Sequence, residues 1–452
     1  MHCPLRRFWV SGGLHHSLLI SASILTLASG ACSRSETPDA EVFEDEAGVR
    51  HISVDNDILT EGSYEDVSAW WNAGGGTDGH FVDIAAATRT HDGTFAVLDR
   101  FNKTVTMLGA EGRIQSTFGR EGDGPAEFQD PRDIVAVGDR LLTWDLRKAT
   151  LQSFTAEGDF LQETRLAEPG DLVSLTGRLD LELEDLSQRI EATPSGQKVL
   201  FQLEENEREL INPNARGMED VNREGFIVAY DTSLAIADTL IQYAASTRSL
   251  SPAGGPSYGP PIFSPRETWA VDSQGLLHAS NAVPQLQLLD FSGELKAVLR
   301  WGGKRRATSP EQRLAHVQSF YREQAPYLPS DVRETWDGNT SLQEQAAEQI
   351  VIADSTPVFS RIWLVNYCAV LAPFRPQDSS DGVGQRLVFV NLDDGSIAGR
   401  IAFGEPGTDR LLWLSSSAFL TKHADSLGVQ SVSLFPVPDD IQERCHLRPS
   451  GR

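Results

Sequence analysis

The sequence predicts an all-β fold, a six-bladed β-propeller of four-stranded antiparallel blades with a small helical insertion between blades four and five. Three observations predict it. A repeat recurs at 46 residues. Each copy reads as short apolar strands joined by Glu-Gly or Ser-Gly turns. Several copies end on Phe-Gly or Trp-Gly.

The repeat is clearest near the start. Phe95-Ala-Val-Leu-Asp99, running on to Gly112, aligns with Leu141-Leu-Thr-Trp-Asp145, running on to Gly158; both spacings are 46 residues. A third copy runs from Gly275-Leu-Leu-His-Ala-Ser280-Asn281 to Trp301-Gly302, and Phe403-Gly404 ends another. Glu224 to Asp231, followed by Leu240 to Tyr243, is a weaker copy. Runs such as Leu387-Val-Phe-Val390 suit strands covered on both faces. Glycine at the turns admits positive φ. One blade cannot bury its faces alone, and closing the ring removes the exposed ends.

The blades fall at about 80–118, 130–166, 188–245, 265–301, 356–403 and 410–438. A different parse of 170–224 would give five or seven. Blade six is one strand short. The strand-like Val49 to Val54 is expected to pair with it and close the ring, within a single domain spanning 48–440 and followed by a tail over 441–452. The β pattern breaks over about 307–353. Ser309-Pro-Glu-Gln312 reads as a capping box with Pro310 at the first helical position. Leu314, Val317 and Tyr321 then share one face, and a second helix is expected from Ser341 to about Ile350. This excursion is expected to cap one mouth of the propeller and to carry specificity.

The N-terminus reads as a targeting segment over 1–31. Arg6 and Arg7 precede an apolar stretch from Leu18 to Leu27, too short to span a bilayer. Small residues then lead to Cys32, which resembles the lipobox of bacterial lipoproteins, where the Cys after the cleavage site is acylated. Ser29 stands where the usual pattern has Leu. Residues 32–47 are acidic and polar and are expected to form a disordered tether. The formal net charge is −25, which argues against nucleic acid and against electrostatic attraction to anionic lipid. Beyond Cys3 and Cys32, the chain has Cys368 and Cys445. In an oxidising compartment these could form a disulfide or stand as two free thiols.

Between blades one and two lies Phe118-Gly119-Arg-Glu-Gly122-Asp-Gly124-Pro125-Ala-Glu-Phe128-Gln-Asp-Pro131. It resembles the inter-blade signature of NHL-repeat propellers, and more closely the six-bladed β-propeller lipoproteins of unknown role found in several bacterial phyla. Gly119, Gly122 and Gly124 would let the chain turn sharply, Phe128 would drop between blades, and Pro131 would end the crossing. The resemblance covers about 80–440 and implies a fold rather than an activity. Relatives of such families include interaction scaffolds, sensors and a few lyases, and related sugar-lactone hydrolases hold a central metal. No acidic and Asn pattern of that enzyme type recurs blade by blade here.

Candidate chemistry is sparse. Asp99, Asp145, Asp231 and Asn281 recur at strand ends. They could ring one face and hold a hard cation such as Ca²⁺, or each could bond its own turn backbone. Gly255-Pro-Ser257-Tyr-Gly259 matches G-x-S-x-G, but the surrounding prolines forbid the strand and helix of a nucleophile elbow. His278 reads as packed core. Trp70 and Trp71 could stack on a ligand or seal the ring. The expectation is therefore a monomeric, non-enzymatic scaffold or sensor without a cofactor. It would bind a peptide, glycan or envelope protein and be held at the envelope membrane by its lipid anchor. The alternative is a metal-dependent propeller hydrolase or lyase acting on a lactone or ester.

Overall fold

A computed structural model describes residues 40–446, apart from 61, 75–80, 166–185, 205–222, 232–235, 246–248, 251–257, 260–262, 325–329, 331–334, 337–338, 350–352, 375–383, 405–408 and 426–427. The expected signal segment over 1–31, Cys32 and Ser257 lie outside the described residues.

Six antiparallel sheets form the six blades. Blade one is Ile84–Arg89, Phe95–Asp99, Thr104–Leu108 and Ile114–Phe118. Its second strand is buried at every position because neighbouring blades cover both faces, whereas four of the five residues of its outermost strand are exposed. Blade two is Pro131–Val137, Arg140–Asp145, Thr150–Thr155 and Phe160–Arg165. Blade three is Leu186–Ala192, Lys198–Glu204, Arg223–Asp231 and Ile236–Ala245. Blade four is Glu267–Asp272, Gly275–Ser280, Gln285–Leu289 and Leu295–Trp301, and blade five is Phe359–Val365, Cys368–Pro373, Gln385–Asn391 and Ile397–Phe403. The turn glycines matter where blades meet. Gly112 has φ +76°, and a Cβ there would stand 2.6 Å from the Trp71 ring; at Gly158, φ +99°, it would stand 2.3 Å from Phe118.

Blade six supplies three of its own strands, Asp409–Leu414, Ala418–Ala424 and Gln430–Pro436, and an N-terminal strand completes it. That strand is Trp71–Ala73, with Asn72 opposite Ser433, and not the expected 49–54 segment. Arg50–Val54 instead runs parallel to Leu295–Trp301 on the outer edge of blade four. Glu65–Asp66 then pairs with Ile401 and Ala402 of blade five. The N-terminal stretch thus follows the outer edges of blades four, five and six in turn before blade one begins. The alternative site for 50–54 is favoured because Ile52 and Val54 become almost fully buried against blades four and five.

Within the expected disordered tether over 32–47, residues from Ala40 onward are ordered instead. Ala40–Glu44 forms an antiparallel hairpin with Arg50–Val54, with Asp45 accepting the N–H groups of Ala47 and Val49 in the turn.

The insertion contains α1 (Pro310–Gln324) and α2 (Thr340–Gln349). The capping box forms as read. Ser309 Oγ accepts the Gln312 N–H at 3.2 Å, and Gln312 Oε1 accepts the Ser309 N–H at 2.9 Å. The second helix is capped by Asn339, whose Oδ1 accepts the Leu342 N–H at 3.0 Å, two residues before the expected start. Arg305 and Thr308 donate to the carbonyls of Ser355 and Ala353, which pinches the base of the insertion. The tail is helical as well. α3 (Asp439–His446) buries Ile441 and Cys445 against blade five, and Cys445 is joined to Cys368 by a disulfide with a Cα separation of 5.3 Å.

Candidate functional site

The first strand of every blade has one hydrogen-bonded neighbour, so its other edge faces the propeller axis. Together these edges surround a cavity of about 590 Å³. Unpaired backbone groups would be costly there, and side chains from adjacent blades satisfy several of them. Thr88 of blade one accepts the N–H of Ala136 in blade two at 3.1 Å. Asp133 of blade two accepts that of Ile190 in blade three at 2.8 Å. Arg189 of blade three donates to the carbonyl of Trp269 in blade four at 2.8 Å. Lys422 of blade six donates to the Ile84 carbonyl of blade one at 2.9 Å.

The ladder is irregular where the charges enter. In blade two the register slips between Pro131 and Asp133, and in blade five between Phe359 and Arg361. Such a bulge re-aims the side chain that follows it. Asp133 and Arg361, which follow these slips, both line the cavity.

Although the chain is strongly acidic, the cavity wall carries seven basic side chains against four acidic ones. Glu191 pairs with Arg189, and Asp83 pairs with Arg100 at 2.6 Å. Arg189 and Arg361 each lie over an indole, Trp269 at 5.3 Å and Trp363 at 5.2 Å. Among the described residues, the side chains of Arg361 and Arg410 form no hydrogen bond and no ion pair. Burial pushes Arg361 down to about 9, and the positive charges of Arg189 and Arg410 push the same way. Arg410 is lowered by burial and by Arg189. Burial raises Asp133 to about 7, with Glu191 adding to the shift against the two N–H groups that the carboxylate accepts.

The residues singled out from sequence lie elsewhere. Asp99 and Asp145 end the second strands of their blades and tie the entry to the first strand to the turn that leaves the second. Asp99 accepts the N–H groups of Val82, Phe101 and Asn102. Asp145 accepts those of Gln129, Asp130 and Lys148. Asn281 accepts the N–H of Arg266 at 2.8 Å in the same way. Asp231 is not equivalent to them. It ends the third strand of its blade, opposite Lys198 at the start of the second, and so sits at the opposite end of the strands. The four side chains therefore do not share one face. Among the described residues no three His, Cys, Asp or Glu side chains gather at metal-ligand spacing.

The inter-blade motif is built into the packing. Phe128 is fully buried 6.0 Å from Phe154, and a Cβ on Gly119 would meet its ring at 2.4 Å. Glu127 accepts the Gly124 N–H at 2.7 Å, Gly122 donates to the Phe128 carbonyl at 3.1 Å, and Pro131 begins blade two. His278 is buried 3.0 Å from Glu267. Trp71 donates to the Ala110 carbonyl at 2.7 Å, sealing blade six to blade one, while Trp70 is exposed.

The channel charges were missed because repeat alignment centred on the second strand. A signal exists one strand earlier. The first strands of blades two to six carry Asp133, Arg189, Glu267, Arg361 and Arg410 near their starts or middles, where a wholly packed strand would hold apolar residues.

No family model and no curated protein matches the chain. Several solved structures are similar in shape. A protein of Bacteroides fragilis described as exported is 11% identical, with a TM-score of 0.41, over 86% of this chain and 99% of that one. A member of the DUF4221 family from Bacteroides vulgatus is 9% identical, with a TM-score of 0.42, over 82% and 97%. Virginiamycin B lyase from Staphylococcus aureus is 8% identical, with a TM-score of 0.35, over 79% and 96%. Likenesses of this size carry no argument about what the channel holds.

Proposed function

We propose that this chain is a non-enzymatic binding propeller of the bacterial cell envelope, exported by its N-terminal segment and anchored through Cys32, with its ligand held in the axial channel. The observation that carries this reading is the channel itself. It is about 590 Å³, within the range of small-molecule sites, and is lined by polar and charged groups from all six blades. Binding is favoured over catalysis because Asp133 and Arg189, two of the charged groups lining it, are committed to holding neighbouring blades together. The helical insertion would cap one mouth. It rises beside Asn281, whose carbonyl accepts the Val358 N–H at 2.9 Å, at the end of the channel that carries the Asp99 and Asp145 corners. Among the described residues no helix is long and apolar enough to cross a membrane.

The test is a plug. Ser360 lines the channel and is solvent-exposed within it, so Ser360→Trp should fill the space without touching the packing between blades. A low-molecular-mass envelope extract should raise the melting temperature of the native chain and leave that of S360W unchanged. Equal shifts in both proteins would move the site out of the channel.

A further inference from the structure

We infer that the channel ligand is a small anion presenting a carboxylate or phosphate group, gripped by Arg361 and Arg410 with Arg189 beside them. The inference rests on the channel reading above and adds the chemistry of the ligand.

Three guanidinium groups from blades three, five and six line one cavity, and their charges act on one another across it. They differ in what they already do. Arg189 pairs with Glu191, donates to the Trp269 carbonyl and lies over the Trp269 ring. Arg361 lies over the Trp363 ring, and neither Arg361 nor Arg410 donates to any carbonyl or carboxylate among the described residues. A planar guanidinium is a fork built for bidentate recognition of carboxylate or phosphate. The indole beneath Arg361 leaves its N–H edges free for such a partner while limiting its movement.

The acidic groups nearby favour the charged forms of both arginines but are bonded elsewhere. Glu191 is taken up by Arg189, and both Asp133 oxygens accept backbone N–H groups, from Ile134 and Ile190. Arg361 and Arg410 still repel one another across the water-accessible cavity, and a bound anion would relieve that repulsion. A register slip between Phe359 and Arg361 immediately precedes one of them.

The chemistry sets the test. The full chain is titrated by calorimetry with inorganic phosphate and with succinate, and with glucose and ethylenediamine as neutral and cationic controls. Variants are R361Q, R410Q and the double variant, with R113Q as a surface control on a fully solvated arginine. The expected result is that phosphate or succinate binds, that each single channel variant weakens binding at least about tenfold, and that R113Q is unchanged. The ligand-free double variant should also melt at a higher temperature than the native chain, because repulsion has been removed. That readout separates lost recognition from lost folding. Anion binding unchanged in the double variant would overturn the inference. Should only glucose or ethylenediamine bind, and S360W abolish it, the anion inference falls and the channel reading stands. Should no probe and no envelope extract bind in the channel, both fall.

Discussion

The carboxylate of Asp99 accepts the backbone N–H of Val82, seventeen residues upstream, at 2.7 Å, and so pins the start of blade one to the end of its second strand. Asp145 repeats this with Gln129 in blade two at 2.7 Å. One buried carboxylate thus satisfies several backbone donors that would otherwise be stranded at a blade corner. Asp99→Ala or Asp145→Ala should lower stability by about 2–4 kcal/mol in chemical denaturation, because charge-assisted bonds to buried amides are lost. The Asn variants should recover part of that. Adding a chelator should leave the melting temperature unchanged; a large drop would return these residues to a metal-binding role.

Ring closure depends on three residues near the N-terminus. Asn72 pairs with Ser433, and the Trp71 side chain bridges to blade one through the Ala110 carbonyl. Asn72→Pro removes a ladder donor and forbids the pairing geometry. It should lower the melting temperature and expose blade six to limited proteolysis first. Cleavage that begins in blade four instead would contradict this account of closure.

The Cys368–Cys445 disulfide spans 77 residues and clamps α3 onto blade five. Restricting so long a loop in the unfolded chain is worth about 2–5 kcal/mol. Cys445→Ser, or reduction, should cost stability in that range. Release of the tail helix should also appear as faster amide exchange across Cys368–Pro373, and its absence would show that Ile441 packing alone holds the tail.

Asp133 gives the fold a pH dependence of the opposite sign to a paired surface carboxylate. Its folded value near 7, raised by burial, lies above its ordinary value of 3.8. The folded chain therefore holds a proton that the unfolded chain has lost. Stability is highest below pH 4 for this group and falls as pH rises from about 4 to 7. The effect should be on the order of 1–2 kcal/mol after allowance for solvent in the channel. Asp133→Asn should flatten this segment of the stability profile. A profile that keeps its slope in the variant would assign the titration to another group.

The propeller was legible because its signal is repeated. Strand pattern, turn glycines and Phe-Gly endings recur at one period, so errors in any single blade are corrected by the others. The ring closure was not legible, since Arg50–Val54 is the better β sequence but is buried at the edge of blade four. Trp71–Ala73 is short and carries no alternation. Asp99, Asp145 and Asn281 were visible as recurring positions, and the structure shows each one bonding backbone at a blade corner. The false equivalence of Asp231 came from reading Arg223–Asp231 as a second strand, when Lys198–Glu204 occupies that place. Arg361 and Arg410 escaped notice because a lone Arg in a strand looks like an exposed face. Their role depends on convergence from separate blades, which only the closed ring reveals.

Amide hydrogen exchange tests the central claim most directly. The first strands of the blades leave one edge unpaired along the axis, so a ligand in the channel should slow exchange there. With and without a low-molecular-mass envelope extract, protection should concentrate in peptides covering Pro131–Val137, Leu186–Ala192, Phe359–Val365 and Asp409–Leu414. Protection confined to outer strands such as Ile114–Phe118, or to none, would contradict a binding site on the propeller axis.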